Sequence, residues 1–145
     1  MPIQPEDTML DPNLAEDHGD ARRVAYGYVE DAFAEAGIGR TEVDHVMVYD
    51  AFAHLPLIGL ECLGLTGAGE SLELIAAGET SPGGRLPLNT NGGGLAYTHT
   101  GMYGMFAIQE SVRQLRGTAA AQVDGAGTSA VLGYGGMFTA AAVLI

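Results

Sequence analysis

The chain of 145 residues contains no lysine and no tryptophan, and its six basic residues are all arginines, set against 18 acidic ones. Without lysine, chemistry that needs a lysine Schiff base or a Walker-type lysine is closed to this chain acting alone. A net charge of -12 repels phosphate backbones and anionic headgroups, so neither nucleic acid nor membrane is expected as the main partner. A single cysteine, Cys62, excludes an internal disulfide and fits a reducing cytoplasm. No apolar run approaches the ~20 residues of a spanning helix. The opening MPIQPEDTML has neither the basic nor the apolar region of an export signal, so a cytoplasmic location is expected. The four histidines (His18, His45, His54, His99) stand in no HxxxH or CxxC context, so no metal site is expected.

What the chain does have is glycine, 22 residues of it, and an ordinary hydrophobic share of 47%. The length fits one domain or half of a larger fold. Residues 1–19 carry five acids, no Lys or Arg, and three of the six prolines, and read as a flexible acidic leader. Residues 20–145 form the folded part. Asp20 is a good N-cap for a helix whose stripe runs through Val24, Ala25, Tyr28, Val29, Ala32 and Phe33 and which Gly37 stops. The run from His45 to Asp50 suits a buried strand that delivers Tyr49 and Asp50 to its C-terminal end. Leu55 to Leu65 and Glu70 to Ala77 read as helices, and Ser81-Pro82-Gly83-Gly84 as a turn. A long helix is expected from Gly101 to Arg116, with Met105, Ile108, Val112 and Leu115 on one face and Gln109, Glu110 and Arg113 largely on the other. The tail offers two apolar runs, Thr118–Val123 and Phe138–Ile145, as an antiparallel pair. Alternating strands and helices make the class α/β.

Several constellations have both a chemical and a plain structural reading. Gly125-Ala126-Gly127-Thr128-Ser129-Ala130 has the form GxGxxA, but a poor helix follows and the chain soon ends, so a structural turn is the reading. Cys62, beside Leu60 and Leu63, reads as a buried structural thiol. Asp50 and His54, four apart, could hydrogen-bond as a structural pair. Tyr134, with glycines on both sides, either points into a cavity or packs as a core tyrosine. The most informative segment is the loop Asn89–Gly104. Gly92, Gly93 and Gly94 let the backbone pass very close to a ligand or another strand. Tyr97 and His99 would project to one side if the segment is extended. The loop enters a helix N-terminus, where unsatisfied N–H groups favour an anion. A tight loop with a packed tyrosine explains any one of these features, and the combination less well.

Tyr49-Asp50-Ala51-Phe52-Ala53, Leu60-Glu61-Cys62-Leu63-Gly64 with Gly69-Glu70, Pro82-Gly83-Gly84 with Leu86-Pro87-Leu88-Asn89-Thr90, the loop Gly92-Gly93 to His99, and Gln114-Leu115-Arg116-Gly117 carry a family resemblance. Together, over about Asp20 to Ile145, they resemble the C-terminal half of the thiolase superfamily, in its lipid-transfer-protein branch. The resemblance implies an α/β domain with a mixed sheet and helices. It sets His99 on the histidine of the family's GHP motif, with Thr98 and Thr100 in place of its neighbours. The family's second catalytic cysteine falls on Leu132, or on Tyr134 if the register slips by two. The nucleophilic cysteine belongs to the N-terminal half.

Within that branch the pattern is similar to thiolase-like aldolases of steroid side-chain degradation, which split a β-hydroxyacyl-CoA into a carbonyl compound and a shorter CoA thioester. Such a retro-aldol step needs a base for the hydroxyl proton and stabilisation of an enolate oxygen. The resemblance implies that two of Tyr49, Tyr97 and Tyr134 handle protons, that His99 holds the thioester oxygen, and that Gly92, Gly93 and Gly94 lie against the ligand. A tyrosine near its ordinary pKa of about 10 is a poor base at neutral pH, so its environment must shift it. Coenzyme A is implied as part of the substrate, with no covalently bound cofactor. A domain of this kind alone should expose an apolar face. The implied partners are a separate chain supplying the thiolase N-terminal half and, as a further candidate, an OB-fold protein with a zinc ribbon. The competing reading is a non-catalytic scaffold or acyl-CoA-binding half.

Overall fold

The computed structural model describes residues 19–96, 102–135 and 138–144, with side chains over 28–96 and 102–133. Its centre is the strand β1, His45–Val48, in which all four side chains are buried. A strand buried on both faces must be covered on both sides, and here helices do this. β1 pairs in parallel with β2, Ser129–Gly135, in the register His45 with Ser129 through Val48 with Leu132. β2 pairs antiparallel with β3, Phe138–Leu144, so the sheet is mixed in the order β1-β2-β3. On its other edge β1 meets the Leu86–Asn89 segment, through a parallel bridge between Val46 and Leu88.

The two-residue period of the strands sorts the core into two clusters. Val46, Val48, Ala130 and Leu132 point to one face, where they meet Val29, Phe33, Leu60 and Leu63. Met47 and Val131 point to the other, where they meet Ala107. The first cluster is closed by α1, Gly19–Ala36, and α2, Leu55–Cys62. α2 comes so close that a side chain at Gly59 would overlap Val48. Gly37, at φ +69, ends α1, and Pro56 sits in the first turn of α2. Asp20 lies inside α1 rather than capping it. A carboxylate is favoured both as a cap and within the first turn, and pattern alone does not separate the two. Cys62 is only partly buried, packed against the first cluster. The short helix α3, Ser71–Ala76, ends at Gly78, φ +79, and Gly84 closes a turn onto the Ser81 carbonyl at 2.9 Å.

The second face is covered by the long helix expected there, but the stripe it buries departs from expectation. The segment Asn89–Gly104 is not extended throughout: it contains a single helical turn, α4, Gly93–Ala96. The long helix that follows, α5, spans Tyr103–Leu115 and buries Tyr103, Ala107, Glu110, Ser111 and Gln114. Met105, expected on the packed face, is 63% exposed, while Glu110, expected outside, is 3% exposed. The buried positions keep helical spacing, but three of the five are polar, so hydrophobicity alone selects the wrong stripe.

The tail also differs. The antiparallel pair is β2 with β3, and Thr118–Val123 is a loop. Its alanines are weak strand formers, and glutamine side chains satisfy its backbone: Val123 N–H donates to Gln114 Oε1 (2.8 Å) and Ala119 N–H to Gln122 Oε1 (3.1 Å). Gly125–Thr128 is a turn leading into β2, as expected. Asp44 Oδ2 accepts from the Gly127 and Thr128 amides at 2.8 and 3.0 Å, occupying the donors that a bound phosphate would need. The acidic leader lies outside the described residues, apart from Gly19, which opens α1.

Candidate active site

β1 ends where polar groups begin. Tyr49 N–H continues the ladder to the Leu132 carbonyl at 2.9 Å, and Asp50 follows it, 3% exposed. Asp50 Oδ1 accepts a 2.6 Å hydrogen bond from the Gly94 amide in α4. A side chain on Gly93 would overlap Asp50 Oδ2, and one on Gly94 would stand 2.9 Å from Oδ1. Gly93 also holds φ +68, a left-handed conformation that favours glycine. The close approach expected of Gly92, Gly93 and Gly94 is thus made by Gly93 and Gly94 to a buried carboxylate of this chain. Asp50 binds that amide, and the expected partner His54 instead stacks on Phe52 with ring centroids 5.8 Å apart.

The loop before α4 is fixed by Asn89. Asn89 adopts φ +50, its Oδ1 accepts from Val48 N–H (2.8 Å), and its Nδ2 donates to the Val48 carbonyl (3.0 Å). One amide side chain thereby replaces a neighbouring strand residue at the end of β1. Gly92 N–H closes a turn onto the Asn89 carbonyl (2.8 Å), and Gly93 N–H donates to Asn91 Oδ1 (2.9 Å).

Tyr49 is partly exposed at this junction, its ring 5.8 Å from that of Tyr103 and tilted by 47°. Burial raises the Tyr49 phenol above its ordinary pKa, and the Asp50 carboxylate adds to the rise. This is the direction opposite to that required of a base: Tyr49 stays protonated at neutral pH and is suited to donate. Tyr97 and His99 lie outside the described residues. The backbone of Tyr134 lies in β2 at a ladder irregularity between Gly133 and Gly135, and its side chain lies outside the described atoms. Leu132 is 1% exposed and belongs to the core cluster on the side of α1.

The sequence reading missed a buried polar cluster behind the loop. His45 is fully buried, with Nδ1 2.8 Å from Ser129 Oγ and Nε2 3.0 Å from Thr90 Oγ1. Thr90 donates to Glu110 Oε1 (2.8 Å) and accepts from Gln114 Nε2 (2.9 Å). Ser129 donates to Ser111 Oγ (2.8 Å), and Gln114 also donates to Glu110 Oε1 and to the Ala121 carbonyl. Desolvation lowers the His45 pKa to about 4 against an opposing pull from Glu110. The available signal was the i, i+4 pair Glu110 and Gln114 in phase with Tyr103 and Ala107.

The thiolase C-terminal domain-like family matches residues 20–145. The chain belongs to this family. Its relatives include a 17-hydroxy-3-oxo-4-pregnene-20-carboxyl-CoA lyase from Mycobacterium tuberculosis, 46% identical over 95 residues, which cover 64% of this chain and 24% of that protein. A steroid side-chain-cleaving aldolase from Thermomonospora curvata is 42% identical over 92 residues, 62% of this chain and 22% of that protein. Among solved structures, one titled Ltp2-ChsH2(DUF35) aldolase superimposes with a TM-score of 0.73 at 33% identity, over 83% of this chain and 31% of that one. The chain therefore spans about a quarter of the length of the curated relatives it matches. Among the described residues no helix is long and apolar enough to cross a membrane.

Proposed function

We propose that this thiolase-like domain is a subunit of an aldolase that carries out retro-aldol cleavage of a β-hydroxyacyl-CoA thioester with a steroid-like side chain. The observation that carries the reading is the junction at the end of β1. There the Asp50–Gly94 hydrogen bond ties the strand that delivers Tyr49 to the glycine loop. The names of the relatives at 42–46% identity support the reaction class.

In the reaction a base removes the β-hydroxyl proton and the Cα–Cβ bond breaks. Its electron pair passes to the thioester as an enolate, and a proton delivered to Cα completes the shorter CoA thioester. Tyr49, held protonated, fits the donor's part. His99 is assigned to the thioester oxygen, either Tyr97 or Tyr134 to the remaining proton transfer, and Gly92, Gly93 and Gly94 to contact with the CoA thioester.

The rest of the site comes from a partner chain carrying the thiolase N-terminal half. Supporting this, Leu95, Met102 and Met105 are 62–65% exposed, and they flank Gly94 and Tyr103 beside the Asp50 junction. Apolar side chains concentrated in this way mark an interaction surface. An OB-fold protein with a zinc ribbon is a second candidate partner. The alternative, a non-catalytic acyl-CoA-binding half, draws on Leu132, a core residue where the family resemblance sets a cysteine.

The test is native mass spectrometry of the complex from source cells, followed by a CoA-thioester cleavage assay with Tyr49→Phe, Tyr97→Phe, Tyr134→Phe and His99→Ala. Loss of cleavage in Tyr49→Phe, with the complex intact, supports the reading. Full activity in all four variants overturns the assignment, and no cleavage by the assembled wild type leaves the binding-half alternative.

A further inference from the structure

The Thr90 hydroxyl has three polar neighbours: His45 Nε2 at 3.0 Å, Glu110 Oε1 at 2.8 Å and Gln114 Nε2 at 2.9 Å. A hydroxyl has one proton and two lone pairs, so three partners saturate it. The Gln114 amide nitrogen can only donate to it, and a Glu110 carboxylate can only accept. Thr90 therefore gives its proton to Glu110 and accepts from Gln114, with His45 Nε2 as its third neighbour. The neighbours that set this pattern are themselves buried, with His45 at 0%, Gln114 at 1% and Glu110 at 3% exposure. They come from β1 and α5, whereas Thr90 lies in the loop, between Asn89, locked to Val48, and the turn that starts α4.

We propose that Thr90 is a positioning residue for the glycine loop, fixed by a buried unit of His45, Glu110 and Gln114. Thr90 is the one point at which a loop side chain is bonded to both β1 and α5 among the described contacts. It lies four residues before Gly94, whose amide meets Asp50, and in sequence the loop continues to Tyr97 and His99. The proposal rests on the aldolase reading only for what the loop does. The geometry of the unit is independent of it.

The test uses NMR on the full chain, isotope-labelled, as wild type, Thr90→Val and Thr90→Ser. Thr90→Val keeps the shape and removes the hydroxyl. It is expected to raise hydrogen exchange of the Gly94 amide at least tenfold relative to the Val46 and Leu132 amides. Thr90→Ser restores the wild-type exchange. Unchanged Gly94 exchange in Thr90→Val, or an equal rise at Gly94, Val46 and Leu132, overturns the proposal. If Thr90→Val does not fold, the same exchange comparison between Thr90→Ala and Thr90→Ser decides the matter. Cleavage activity is not used, so failure here and failure of the aldolase reading are distinguished.

Discussion

Asp50 and Gly94, 44 residues apart in sequence, are joined by a 2.6 Å hydrogen bond from the Gly94 amide to a carboxylate that is 3% exposed. A buried carboxylate needs such donors, and the glycines let the loop backbone come near enough to provide one. Asp50→Ala should destabilise the chain by about 1.5–3 kcal/mol, the worth of a hydrogen bond to a charged group. Gly93→Ala should also destabilise it, because the methyl group meets both the carboxylate and a positive φ. Urea unfolding of both variants checks this, and wild-type stability in Gly93→Ala would refute the close packing.

Tyr49 provides a test in alkali. Its phenol is raised, first by burial and then by Asp50, so it should ionise above the ordinary value of about 10. The unfolded chain releases this proton more readily, so its contribution to stability is complete below about pH 10 and is lost as pH rises beyond it. Absorbance titration of wild type minus Tyr49→Phe should isolate the late-ionising phenol. A Tyr49 titrating below 10 would fit a base and remove the donor role.

His45 behaves in the opposite sense. Its pKa falls from 6.5 to about 4 on burial, so between these values the unfolded chain binds a proton that the folded chain does not. Stability should therefore rise with pH across that window, with His45 accounting for about 3 kcal/mol in all. Denaturation curves at pH 4, 5, 6 and 7, compared with His45→Gln, should show a shallower slope in the variant. Equal slopes would mean that His45 titrates alike in both states.

Met105, on the exposed side of α5, separates folding from assembly. Met105→Glu should leave stability within about 0.5 kcal/mol, as for most surface changes. If the partner chain covers this face, the same change should weaken the complex by tenfold or more, read by native mass spectrometry over a concentration series. Gln114→Ala, on the buried side, should instead cost at least about 2 kcal/mol, because it strips partners from Thr90, Val123 and the Ala121 carbonyl.

Local chemistry determined much of this fold. The four-residue buried strand, the glycine stop of α1 at Gly37, the turn at Ser81–Gly84 and the turn in place of a nucleotide fingerprint all follow from side-chain pattern and backbone preference. So does the family, because its motifs are runs of adjacent residues. Tertiary structure decided what depends on partners distant in sequence. Asp50 binds Gly94 rather than His54, because the loop crosses the end of β1. Thr118–Val123 is a loop because Gln114 and Gln122 take up its backbone groups. Glu110 turns inward because Thr90 and Gln114 donate hydrogen bonds to it, and a buried polar stripe has the spacing of an apolar one without its composition. Tyr49 could be named from sequence, but the direction of its pKa shift could not. Burial and the neighbouring carboxylate set it, and both exist only once the chain has folded.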